Sequence, residues 1–253
     1  MIRVAAAGDL HFGLDSAGTF RPHLERVAER ADVLLLAGDL TKVGLPEEAE
    51  VLAEELEGLR VPMVAVLGNH DHHSDQPDAV RRILEDAGVQ VLEGETTRLD
   101  VDGATLGVAG AKGFGGGFAG KSATDFGEPE MKAFVRHTKA VAERLEETLG
   151  SLDTDYRVAL LHYSPVKETL HGEPPEIYPF LGSYLLAEAV DRAGADLVVH
   201  GHAHRGAEKG VTPGGIHVRN VAQHVIRAAY NVYSFGDGDG VGADEATRTL
   251  QRA

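Results

Sequence analysis

The sequence predicts an α/β fold: one domain with two sheets over residues 1–235, followed by a polar, frayed tail at 236–253. Three observations predict it. The first third alternates apolar runs of strand length with helical patterns, the rhythm of parallel βαβ units. The middle changes to shorter extended runs joined by a turn, which calls for a second sheet. The chain has 253 residues, 43% of them hydrophobic and 25% charged, so it has material for one large core and an ordinary globular composition.

The elements follow in order. Residues 2–7 form an apolar strand that stops at Gly8 and Asp9. A secretory signal needs a longer apolar region and a cleavage site, so this stretch is read as a buried strand and the protein as cytoplasmic. Residues 20–30 carry a helical pattern with Leu24, Val27 and Ala28 on one face, and 32–37 form a second strand suited to burial on both faces. Pro46 suits a helix start, and Leu52, Leu56 and Leu59 give that helix its apolar side. A third strand at 63–67 and a third helix at 78–87, ended by Gly88, complete the rhythm. Residues 89–92, 96–101 and 105–109 are short extended runs, with Asp102-Gly103 as a hairpin turn. After a Gly-rich irregular stretch at 110–128 comes a long helix at 129–149, whose apolar stripe of Phe134, Val141, Leu145 and Leu149 is explained by packing on a sheet. A strand at 158–161, a helix at 181–193 and a strand at 196–199 follow, and 216–218, 225–228 and 232–235 read as closing strands.

Composition excludes several classes. There are no cysteines, so disulfides and thiolate chemistry are ruled out and any metal site must use nitrogen and oxygen donors. The formal net charge is −16, from 40 acidic and 24 basic residues, a repulsive field for a nucleic acid. Bound cations dominate their local field, so a small phosphate ester remains a fitting ligand. No apolar run approaches the ~18 residues of a membrane helix.

The informative residues are histidines, thirteen in all, several placed directly after apolar strands. Gly8-Asp9-Leu10-His11 follows the first strand, Gly38-Asp39 the second and Gly68-Asn69-His70-Asp71 the third. His162 ends the run at 158–161, and Gly201-His202-Ala203-His204 follows the run at 196–199. Strand ends at the carboxyl edge of an α/β sheet are where ligands bind, and parallel strands bring these segments to one rim. Two cations ~3.5–4 Å apart at that rim would grip phosphoryl oxygens and lower the pKa of a water. Asp and neutral His suit Mn²⁺, Fe, Zn²⁺, Co²⁺ or Ni²⁺, with Irving–Williams order and availability deciding among them, and Mn²⁺ is the expected ion. Singly, Asp9 or Asp39 reads equally well as a cap, Asn69 as a turn residue and His162 as a core histidine; the ordered series decides.

That series resembles the calcineurin-like metallophosphoesterase superfamily, with all five blocks present in the family's order from residue 8 to residue 204. The resemblance implies a four-layer α/β/β/α sandwich with two mixed sheets. It implies that Asp9, His11, Asp39 and His204 hold one cation, and that Asp39, Asn69, His162 and His202 hold the other, with Asp39 bridging. It implies that His70 contacts the phosphate and protonates the leaving group, with Asp71 orienting it, and that metal-bound hydroxide attacks phosphorus. The stretch from Gly38 to Gly44, with Gly-Asn-His-Asp, is similar to the bacterial class III cyclic nucleotide phosphodiesterases, so a small phosphodiester is the expected substrate. A phosphomonoesterase, a nucleotide pyrophosphohydrolase and a non-catalytic scaffold are the alternatives on the same fold.

One competing motif lies at Gly115–Ser122, which matches the phosphate-binding loop of nucleoside triphosphatases. Such a loop must lead straight into a helix, and Gly127 and Pro129 argue against one starting at Lys121. Residues 112–128 are read instead as a mobile flap near the metals, with Lys121 meeting substrate. His72 and His73 are expected as solvated loop residues, His200 as a packed or hydrogen-bonding one, and His23, His137, His171, His217 and His224 as structural or surface residues.

Overall fold

The computed structural model describes residues 1–236 and 242–244 of the chain. In chain order the first strands are β1 (Ile2–Ala7), β2 (Val33–Ala37), β3 (Met63–Val66) and β4 (Val89–Val91), each parallel to the next. Helices α1 (Arg21–Leu24), α2 (Val27–Arg30), α3 (Pro46–Leu56) and α4 (Pro77–Asp86) connect them. β5 (Glu95–Val101) and β6 (Ala104–Ala111) open a second sheet as an antiparallel hairpin. A small hairpin of β7 (Gly117–Phe118) and β8 (Lys121–Ser122) and the long α5 (Pro129–Gly150) precede β9 (Tyr156–Leu161). Helices α6 (Tyr178–Leu181) and α7 (Tyr184–Ala193) lead to β10 (Leu197–His200), β11 (Lys209–Val211) and β12 (His217–Asn220). After the one-turn α8 (Gln223–Ile226) the chain returns to the first sheet through β13 (Asn231–Phe235) and β14 (Gly242–Asp244).

The strand orders are β14-β13-β1-β2-β3-β4 and β11-β12-β10-β9-β6-β5, two mixed sheets of six strands each. Side-chain alternation explains how they stack. In β2, Val33, Leu35 and Ala37 pack with Leu106, Val108, Val158, Leu160 and Val199 of the other sheet. The intervening Leu34 and Leu36 pack with Leu52, Leu56, Val80 and Leu84 of α3 and α4. A strand covered on both faces must be apolar throughout, as this one is. On the far side of the second sheet, Ala159, Leu161 and Val198 meet Leu145 and Leu149 of α5 and Leu186 and Val190 of α7. The layers are therefore α/β/β/α, as the family resemblance implies. Among the described residues no helix is long and apolar enough to cross a membrane.

Three elements differ from the sequence reading. The helix expected at 20–30 is two single turns, because Arg26 leaves the helical region at φ −111°, ψ 16°. The helix expected at 181–193 is interrupted by extended Gly182 and restarts at Ser183, whose hydroxyl caps the amide of Leu185 at 3.3 Å. The strand expected at 225–228 is instead the turn of α8, closed by Arg227 in the left-handed region at φ 52°. The polar tail expected at 236–253 lies outside the described residues, apart from Gly236 and β14.

Candidate metal centre

Five strand ends converge. Asp9 and His11 follow β1, Asp39 follows β2, Asn69 and His70 follow β3, His162 follows β9, and His202 and His204 follow β10. The loops after β1 and β2 run side by side: the amide of Asp9 donates to the carbonyl of Gly38 at 2.9 Å and that of His11 to the carbonyl of Asp39 at 3.0 Å. Asp9, His11, Asp39 and His202 all have positive φ, at 56°, 46°, 49° and 69°. For side chains with a Cβ this costs about 1–3 kcal/mol each, a strain concentrated at functional sites. Two glycines make room for the carboxylates, since a Cβ on Gly68 would overlap Asp39 and one on Gly201 would overlap Asp9.

The side chains form two groups that share one residue. Ligand atoms of Asp9, His11, Asp39 and His204 lie within 4.8 Å of one another, as do those of Asp39, His162 and His202. In the first group, His204 Nε2 is 2.8 Å from Asp9 Oδ1 and 3.2 Å from His11 Nε2. In the second, His162 Nε2 is 3.3 Å from Asp39 Oδ1 and 3.0 Å from Asn69 Oδ1. Every residue expected as a ligand is thus present in one place.

Neighbouring backbone groups orient the donors. His162 Nδ1 faces the carbonyl of Ala37 at 2.9 Å, and His202 Nε2 faces that of Phe180 at 3.2 Å. A ring that donates one N–H to a carbonyl presents its other nitrogen as a lone pair, the state that binds a metal. The amide of His202 donates to both oxygens of Asp9, at 3.0 and 2.9 Å, and that of His70 to Asp39 Oδ1 at 2.8 Å.

The electrostatics suit cations. Burial pushes the Asp9 carboxyl up, but the hydrogen bond to His204 and the imidazoles of His162, His204 and His202 outweigh it and bring it down to about 2. Burial lowers His11 and His202 to about 4, against the pull of Asp39 and Asp9, so both rings are neutral at pH 7. Asp9 holds the His204 pKa up through their hydrogen bond, so a cation there would displace that proton. Buried carboxylates beside imidazoles, without a thiolate, form a donor set that fits two divalent transition-metal ions.

His70 stands at the open side of this group, its side chain 41% exposed and its Nε2 3.9 Å from Asp39 Oδ2. Asp71 does not orient it. The Asp71 carboxylate instead accepts the amides of Leu40, Thr41 and Gly68 at 3.2, 2.8 and 2.7 Å, together with the Thr41 hydroxyl at 2.6 Å. The carbonyl of Lys42 faces His70 Nδ1 at 2.6 Å and takes the expected role of Asp71. Asp71 therefore ties the loop after β2 to the loop after β3.

Lys121 is not part of the cluster. It is exposed on β8, and among the described residues its side chain has no ion pair or hydrogen bond. Residues 117–122 form a hairpin and α5 begins only at Pro129, so no helix opens at Lys121 to complete a phosphate-binding loop. His200 is buried and bonded to Thr169 Oγ1 at 2.9 Å and to the carbonyl of Gly201 at 2.7 Å, within the expected role. His73 is exposed as expected, whereas His72 is half-buried and its Nε2 has no partner among the described residues.

Two residues join the site without a motif to announce them. The ring of His224 stacks on His204 with centroids 4.7 Å apart and planes within 7°. It is delivered by α8, whose first amide donates to the carbonyl of Gly8 at 3.0 Å. Tyr163 packs its ring on His202 at 4.4 Å; burial and the Asp39 charge push its hydroxyl up to about 12.

Comparison with known proteins gives a consistent picture. The family model described as calcineurin-like phosphoesterase matches residues 2–206. The glycerophosphodiester phosphodiesterase GpdQ of Enterobacter lignolyticus is 40% identical over 48 residues, a stretch covering 19% of this chain and 17% of that protein. The phosphopantetheinyl hydrolase of Mycobacterium tuberculosis superposes with a TM-score of 0.58 at 16% identity, over 87% of this chain and 88% of that one. The NAD nucleotidase of Haemophilus influenzae gives 0.57 at 13% identity, over 96% of this chain and 49% of that one. At such identities the structural likeness is one of fold.

Proposed function

The chain belongs to the calcineurin-like phosphoesterase family, and on that premise we propose that it hydrolyses a small phosphodiester at a two-cation centre. The observation that carries the reading is Asp39, buried and common to both ligand groups. Asp9, His11, Asp39 and His204 would hold one cation; Asp39, Asn69, His162 and His202 would hold the other. When bound, the two cations supply charge for the phosphoryl oxygens and lower the pKa of water towards neutrality.

The chain's own residues do the rest. Backbone carbonyls fix His162 and His202 so that no reorganisation is needed when substrate arrives. His70, pinned through Nδ1–H on the Lys42 carbonyl, keeps Nε2 at the open face, where the doubly protonated ring can pass its Nε2 proton to the departing oxygen. His70→Ala should lower kcat about a hundredfold or more with metal content intact; an unchanged kcat would remove His70 from the reaction. The diester preference is supported by the short GpdQ similarity. Mn²⁺ is proposed as the working metal, and the oxygen and imidazole donor set admits it alongside Fe, Zn²⁺, Co²⁺ and Ni²⁺.

The test is to measure metal content after purification and assay bis-p-nitrophenyl phosphate against p-nitrophenyl phosphate with and without Mn²⁺. Mn²⁺-stimulated cleavage favouring the diester supports the reading. Preference for the monoester would replace it with a phosphatase. No metal binding and no turnover in a folded sample would leave a scaffold.

A further inference from the structure

A chain of aromatic rings leads away from the second ligand group. The Tyr163 ring lies 4.4 Å from that of His202, and Phe114 follows at 5.9 Å from Tyr163. Phe134 and the exposed His137, both on α5, close on Phe114 at 5.1 and 4.6 Å. Gly115 is squeezed between this wall and the next segment, since a Cβ there would sit 3.2 Å from Phe134 Cζ and 3.3 Å from the Cα of Phe180. Phe180 is the residue whose carbonyl faces His202 Nε2, and it is itself 62% exposed.

Core packing accounts for Tyr163, which belongs to the cluster between the second sheet and its helices. It does not account for Phe114, Phe134 and Phe180, which belong to none of the apolar cores. Leaving a large ring in water forfeits the burial that elsewhere stabilises the fold. Here the exposed ring is tied by its own backbone to an imidazole of the centre.

We propose that Phe114, Phe134, His137 and Phe180 form a subsite for a planar aromatic substituent of the phosphoester, such as a nucleobase or an aryl group. The proposal rests on the phosphoesterase reading above and names the substrate class of the same site. The wall joins the centre at His202, against which Tyr163 packs its ring and which the Phe180 carbonyl faces, so a substituent leaving the phosphate on that side would run along it. Rings stack on rings with a gain that a methyl group cannot match. The net charge of −16 disfavours a polyanionic strand, so a single ester of nucleotide size fits better than a nucleic acid.

The experiment is calorimetric titration of the Mn²⁺-loaded protein with phenylphosphonate, cyclohexylphosphonate and methylphosphonate, none of which is hydrolysed. The proposal predicts phenylphosphonate binding about tenfold or more tighter than methylphosphonate, and tighter than cyclohexylphosphonate. It predicts that Phe180→Ala and Phe114→Leu each bring the phenyl-to-methyl ratio down several-fold. Equal phenyl and methyl affinities, a cyclohexyl affinity matching phenyl, or an unchanged ratio in both variants would overturn the subsite while leaving the metal centre standing. Binding of none of the three would overturn the phosphoesterase reading, and the subsite with it.

Discussion

The Nε2 atoms of His11 and His204 face each other across 3.2 Å, with Asp9 Oδ1 2.8 Å from the second of them. Two imidazole nitrogens aimed at one point suit a cation between them better than each other. A ligand that binds only the folded state stabilises it by RT ln(1 + [L]/Kd), about 2.7 kcal/mol at a hundredfold excess over Kd. Chelator-treated protein should therefore gain thermal stability with added Mn²⁺, rising with the logarithm of its concentration, and His204→Ala should blunt the gain. Differential scanning calorimetry checks this; a melting temperature indifferent to Mn²⁺ would count against the donor assignment.

Asp71 is predicted to act on stability more than on chemistry. Truncating it to Ala leaves the amides of Leu40, Thr41 and Gly68 buried without their acceptor. The expected cost is at least about 3 kcal/mol, since each of the three unsatisfied buried amides costs about 1–3. Urea unfolding measures it. A fully stable Asp71→Ala protein with a collapsed kcat would restore the role beside His70.

The extent to which the fold and site were legible follows from which signals are local. Apolar runs at β1, β2 and β3 ending in Gly-Asp or Gly-Asn-His are local, so their shared rim is legible from spacing, and the ligand set follows from the family resemblance that those blocks carry. The role of Asp71 was not local: it depends on amides at positions 40 and 41 that come near only when β2 and β3 pair. Val225-Ile226 lies in a short apolar run, for which periodicity cannot separate strand from helical turn, and no motif marks His224, which the sequence alone presents as a structural or surface residue. The Gly-rich loop was expected to send Lys121 towards substrate. Residues 117–122 of that loop pair as a hairpin that leaves Lys121 exposed, and Phe114 of the same loop meets Tyr163.

Glu55 on α3 gives a pH-dependent prediction away from the site. Its carboxylate accepts the amides of Gly18, Phe20 and Arg21 at 2.6, 2.9 and 2.5 Å. Burial raises its pKa, but these bonds outweigh burial and hold it below the ordinary carboxylate value. A carboxyl depressed in the folded state stabilises fully above its unfolded pKa, about 4.3, and loses that stabilisation as pH falls through the folded value. Glu55→Gln should cost about 1–3 kcal/mol at pH 7, and the gap to wild type should shrink below about pH 4. Urea titrations at both pH values test it; a gap constant with pH would contradict the assignment.

The most direct test of the central claim is metal stoichiometry in Asp39→Ala, by elemental analysis of the purified, Mn²⁺-loaded protein. If Asp39 is shared by both ligand groups, its loss should empty both positions, taking the metal content from about two per chain in the wild type to well below one. An Asp39→Ala protein that is folded and still carries about two would show that the two groups do not depend on this carboxylate, and the two-cation centre built around it would be wrong.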